Sequence, residues 1–271
     1  MANPYRFSYP GYNEIFTGYP DPEIFFNAKV QNPNTNVLEY INQQPEFHGK
    51  VAAFSSWDVI PYILNEERSG LYVNSDEAFE FDSPQISILN DLKKFCSRPL
   101  DVRPDVLTYF GSREYLKAFR PRVLYIGFDE TDDFAHAGMY DQYIKSAHAE
   151  DAMLADLWSW IQQTPGYANQ TTMVITCDHG RGDKIKDEWT SHSDEIPEAG
   201  EIWMAIIGPD IAKKGEMHTT PALEQGQLAA TFAALLGLSF TADHPVMASI
   251  ETMLGQRSSG ALTEIISPLS P

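Results

Sequence analysis

The sequence predicts an α/β protein, a three-layer α/β/α sandwich with a mostly parallel central sheet, on three observations. Short β-rich runs alternate with helical patterns through residues 50–238, the order that gives parallel strands with helices on both faces. Two of the runs, starting at Met173 and at Glu201, are apolar and read as buried strands. The runs ending near Phe128 and Cys177 lead directly into acids and imidazoles, and the carboxyl ends of strands are where open α/β sheets bind ligands.

A chain of 271 residues suits one large domain spanning 1–271. A net charge of −19 argues against a nucleic-acid-binding surface, which would show a basic patch. Cys96 and Cys177 are the only cysteines, so neither a disulfide framework nor a Cys-rich zinc site is expected. There is no run of 18 apolar residues to span a membrane, and Met1–Arg6 has no apolar region resembling a secretory signal.

In chain order, Phe7–Gly18 reads as a short helix with Pro10 near its start and Gly18 past its end. Ser8 falls at or just before the N-cap, where serine commonly only caps; the same position offers free N–H groups and a dipole suited to phosphate. An Asn/Gln/Pro-rich stretch follows, with a helix over Asn36–Asn42. Then come a strand over Gly49–Phe54 and a helix over Val59–Asn65. Residues 66–121, with a helix at Ser87–Phe95, read as an irregular excursion covering the site.

The strand Arg122–Phe128 leads into Asp129-Glu-Thr-Asp132-Asp133-Phe-Ala-His136. Asp132 and His136 are four apart and share a side if the segment is helical. Four acids in five residues repel one another unless a cation is present; an exposed acidic loop is the plain alternative. Tyr140–Gln162 is an amphipathic helix on which His148 is a surface or packing residue rather than a ligand. Asp178-His179 follows the next strand, and two glycines let the chain turn there. Alone, such a pair is as readily a turn cap beside a surface imidazole, and Cys177 before it is a small buried side chain. His192, in the loop before the strand Glu201–Pro209, can return to the same strand ends. Helices are expected over Leu223–Leu238 and Pro245–Met253, with Asp243-His244 a helix entry and the last fifteen residues a loose tail.

Taken together, Ser8-Tyr-Pro-Gly-Tyr-Asn-Glu-Ile-Phe-Thr17-Gly18, Asp132-x-x-x-His136, Asp178-His179-Gly180 and His192 resemble the alkaline phosphatase superfamily. The nearest likeness is to its nucleotide pyrophosphatase/phosphodiesterase-like branch. The resemblance implies a metal-dependent phosphoester hydrolase acting on a small-molecule phosphomonoester, phosphodiester or nucleotide pyrophosphate. It implies two divalent metal ions, zinc by expectation. Asp132, His136 and His192 would hold one, and Asp178, His179 and the nucleophile Ser8 the other. Asn27 would donate to a phosphate oxygen, with Asn32 and Asn34 as alternatives, and Arg181 is a further phosphate contact. Tyr12 stands where the sulfatases of the superfamily carry arginine, so their chemistry is not expected. Family members carry a strand ending in a metal-binding Asp well ahead of the nucleophile, whereas this sequence begins seven residues before Ser8. That absence implies either a truncated chain, which in an exported branch would also have lost its signal, or an impaired, non-catalytic metal- or phosphate-binding relative. A phosphopentomutase-type mutase is a further alternative, but 66–121 is short for that group's cap domain.

Overall fold

The computed structural model describes residues 1–96, 102–209, 211–218 and 222–254. Helix α1 spans Ser8–Thr17 and ends at Gly18, whose φ of 71° is the left-handed conformation that glycine adopts without penalty. Ser8 is the first helical residue rather than the cap. Phe7 caps in an extended conformation and offers no side-chain hydrogen bond. Asn36 caps α2, Val37–Gln43, by accepting from Glu39 N.

β1, Val51–Ser55, is followed by the short helices α3, Ile60–Ile63, and α4, Glu66–Ser69. Residues 66–121 are more regular than expected. They contain β2, Tyr72–Ser75, which pairs parallel to β1 in the central sheet, and the helices α5, Pro84–Phe95, and α6, Asp105–Phe119. β3, Val123–Gly127, pairs parallel on the other side of β1, giving the order β2-β1-β3. Then come α7, Glu130–His136; α8, Tyr140–Gln163; β4, Met173–Thr176; β5, Met204–Ile207; and α9, Gln227–Leu235.

Alternation along the strands builds the layers. Val51 and Ala53 join an apolar cluster with Phe16 of α1, Ile41 of α2 and Leu228 of α9. Ala52 and Phe54 point the other way, into a cluster with Leu107 and Tyr115 of α6. Leu124 and Ile126 of β3 continue that second layer against Met153, Leu157 and Ile161, on α8. An α/β protein with a parallel three-stranded centre and helices on both sides results, as the sequence predicts.

Two local departures matter. β5 runs antiparallel to β4, not parallel, and its residues alternate between half-buried and exposed. Val174 and Met173 of β4 reach the same two layers as Tyr125 and Leu124 of β3. Yet β3 pairs only with β1, and β4 only with β5, so the facing edges of β3 and β4 are unpaired among the described residues. Pro245–Met253 is not helical, and His244 stacks on Tyr19 instead of opening a helix. Cys177 is half-buried. All of the expected tail, residues 257–271, lies outside the described residues. No helix among the described residues is long and apolar enough to cross a membrane.

Candidate metal centre

The site gathers at the carboxyl ends of β3 and β4 and at the start of α1. One face of α1 carries Ser8, Gly11 and Tyr12, at the helical spacings of three and four. Gly11 lies so close to the main chain of Asp178 that a Cβ there would collide with the Asp178 carbonyl oxygen. Ser8 Oγ consequently reaches His179 Nε2 at 3.2 Å.

Three imidazoles and Asp132 converge. His136 Nε2 lies 3.2 Å from Asp132 Oδ2 and 3.0 Å from His192 Nε2. The His179 and His192 rings stack 3.7 Å apart. One ligand atom from each of Asp132, His179 and His192 lies within 4.8 Å of the others. His179 Nδ1 faces Gly180 O at 3.0 Å and His192 Nδ1 faces Arg6 O at 2.7 Å. Both rings therefore carry the hydrogen on Nδ1, leaving the inward Nε2 lone pairs free, the arrangement by which outer partners orient metal-binding histidines. Arg6 presents that carbonyl from φ 56°, uncommon for a residue with a side chain.

Electrostatics point the same way. Burial raises the Asp178 carboxyl against the opposing charge of His179. Asp129, at the end of β3, is held well above the carboxylate range by burial and then by Asp132, Asp133, Asp105 and Asp178. Burial would also raise Asp132, but the His136 hydrogen bond and the charges of Arg181 and the imidazoles outweigh it and hold it low. His192 is pushed down to about 4 by burial and by His179, so it is neutral near pH 7. A neutral His192 and oriented rings among crowded carboxylates suit a divalent cation, which would relieve the repulsion.

The expected residues fall as follows. Ser8, Asp178 and His179 are mutual neighbours, as are Asp132, His136 and His192. The two groups are not separate, because His179 Nε2 also lies 3.7 Å from Asp132 Oδ1. Asn27 accepts from Tyr9 N at 2.8 Å, beside Ser8. Asn32 and Asn34 are engaged with Asn13 and Asp21. Arg181 forms an ion pair with Asp132 and donates to the Asp132 and Trp189 carbonyls. Sequence reasoning did not assign Asp129 or Arg6 to the site. Asp129 follows a strand as Asp178 does, a signal that was legible; nothing in the sequence marks the Arg6 carbonyl.

Against this geometry, the family model described as the Metalloenzyme superfamily matches residues 98–240, just over half of the chain and the span holding Asp132, His136, Asp178, His179 and His192. The chain belongs to the Metalloenzyme superfamily. Membership implies divalent-metal binding, and Asp132, His179 and His192 form a set able to hold an ion.

Similar curated proteins are 2,3-bisphosphoglycerate-independent phosphoglycerate mutases. Two, from Helicobacter pylori strains, are 22% identical over 70% of this chain and 35% of theirs, and 21% identical over 84% and 42%. One from Methanosarcina barkeri is 20% identical over 74% of this chain and 40% of its own. The chain thus spans about two-fifths or less of the length of these relatives. The matches support the superfamily and not its nucleotide pyrophosphatase branch.

Proposed function

We propose that this protein is a metal-dependent phosphoester hydrolase whose nucleophile is Ser8. The observation that carries the reading is the contact of Ser8 Oγ with His179 Nε2, at the start of a helix that no side chain caps. Asp132, His136 and His192 would hold one divalent ion, and Asp178 and His179 with Ser8 a second; zinc suits this nitrogen- and oxygen-rich set. The ions would lower the pKa of the Ser8 hydroxyl and neutralise phosphoryl charge.

The chain's own groups do the rest. Ser8 Oγ lies 3.2 Å from His179 Nε2, so an ion held by His179 would also hold the serine oxygen and orient it toward phosphorus. The first N–H groups of α1 face the phosphoryl oxygens. Asn27 Oδ1 is taken by Tyr9 N, which leaves its Nδ2 hydrogens for a phosphoryl oxygen. An Oγ–P bond forms as the ester P–O bond breaks, and the alcohol leaves with a proton. Water then cleaves phospho-Ser8, releasing phosphate and restoring the hydroxyl.

The names of the relatives favour a second reading, in which phospho-Ser8 passes its phosphoryl group to an acceptor alcohol. The first rests better on the site, because Arg6 and Arg181 are engaged with main-chain carbonyls and Asp132 and would not clamp a substrate carboxylate. Zinc-loaded protein with an aryl phosphate tests both. Hydrolysis lost by about a thousandfold or more in Ser8→Ala is expected. Unchanged hydrolysis in Ser8→Ala rejects the nucleophile, and transfer to an added alcohol in place of water supports the mutase reading.

A further inference from the structure

The loop that leads from α1 to α2 carries two bare phenyl rings beside the proposed nucleophile. Phe25 and Phe26 are 48% and 52% exposed, their centroids 4.7 Å apart, and Tyr5 adds a third ring 6.0 Å from Phe25. Rings on a mobile excursion would mean little, but this loop is clipped down at several points. Tyr9 N donates to Asn27 Oδ1 at 2.8 Å and Tyr9 Oη to Val30 O at 2.7 Å. Tyr5 Oη donates to Pro22 O at 3.0 Å, Asn34 Nδ2 to Asp21 Oδ2 at 2.7 Å, and Ile24 packs into the main apolar cluster. Contiguous apolar surface held rigidly in water marks a binding site more often than chance exposure does. Asn27, next to Phe26, accepts from Tyr9 N, and Tyr5 lies three residues before Ser8, so the rings sit on the two segments that flank the start of α1.

We propose that Tyr5, Phe25 and Phe26 form a stacking platform for a planar ring, aryl or heteroaromatic, in the esterified alcohol of the substrate. The proposal rests on the phosphoesterase reading and narrows its substrate class. Charge agrees with it: the guanidiniums at the site are engaged, Lys29 on the same loop is paired with Asp58, and the chain carries −19 overall. An uncharged ring is therefore accommodated better than a second acidic group.

Calorimetric titration of the zinc-loaded protein with phenylphosphonate and with methylphosphonate isolates the ring while the phosphoryl part stays the same. The phenyl compound should bind about tenfold more tightly, the effect of one ring-on-ring stack. Phe25→Ala combined with Phe26→Ala should erase that difference and leave methylphosphonate affinity and the melting temperature unchanged. Equal affinities in the parent protein, or a ring preference that survives the double substitution, overturn the platform while the phosphoryl reading stands. If neither phosphonate binds, the phosphoryl reading falls and takes the platform with it.

Discussion

β1, Val-Ala-Ala-Phe-Ser, and β4, Met-Val-Ile-Thr, are similarly apolar, yet every residue of β1 is buried and every residue of β4 is half-exposed. The difference is one of neighbours. β1 has a paired strand on each side and an apolar cluster above and below. β4 has the clusters, but among the described residues only β5 pairs with it. Apolar side chains drive a strand into a layer, and pairing on both edges is what closes it off from water. In the looser region Asp129 and Asp178 are crowded at the ends of β3 and β4. One part of the sheet supplies stability, and the other crowds carboxyls whose repulsion an added cation would relieve.

That contrast can be broken experimentally. The largest effect should come from zinc at about a hundred times its dissociation constant, which stabilises by about 2.7 kcal/mol and raises the melting temperature by about 5–10 °C. Chelation should reverse it. Hydrogen exchange should slow at the ends of β3 and β4 and stay the same in β1, and a shift spread evenly over the sheet would contradict the division.

Next in size, Val51→Ala in β1 should cost roughly 2 kcal/mol from lost burial and the cavity left behind. Val174→Ala in β4 should cost under about half as much, because its site is already open to water. Urea unfolding of the two variants compares them directly, and equal losses would mean that β4 is as closely packed as β1.

Asp178→Asn removes a charge that burial disfavours. The metal-free protein should gain about 1 kcal/mol, and the zinc-induced rise in melting temperature should shrink. A loss of metal-free stability would show that the carboxylate is well compensated without a cation.

The last effect is one of pH and concerns Glu150 on α8, pushed up to about 8 by burial and then by Asp105 and Glu130. The folded state keeps this proton to about pH 8, whereas the unfolded chain releases it near the ordinary glutamate value of about 4.3. Stability therefore falls as pH rises between those values. Glu150→Gln should flatten the decline in metal-free protein between pH 5 and pH 8, read from denaturation midpoints. An unchanged slope would place the titration elsewhere.

Much of this was legible in the sequence where the local signal and the tertiary outcome agree. Helix α8 was anticipated to within a residue, because its apolar stripe persists over many turns. Asp132, His136, Asp178, His179 and His192 stand out as acids and imidazoles at strand ends. What was hidden depends on pairing. β2 carries Asn74 and two serines, Ser69 and Ser75, flank or end it, so 66–121 looked irregular until β1 supplied a partner. The antiparallel turn of β5 is likewise a matter of register, which a four-residue run does not encode. Pro245–Met253 has helical apolar spacing, but its residues pack singly against α1 and α9.

The close approach of α1 to β4 has a consequence for how this sequence can vary. Position 11 touches neither phosphate nor cation in the proposed reaction, yet the Asp178 carbonyl occupies the space that any side chain there would need. In a library of every amino acid at every site, that column should be empty except for glycine, mimicking a catalytic position. The spacing between the serine and its carboxylate neighbour is thus set by the absence of a methyl group.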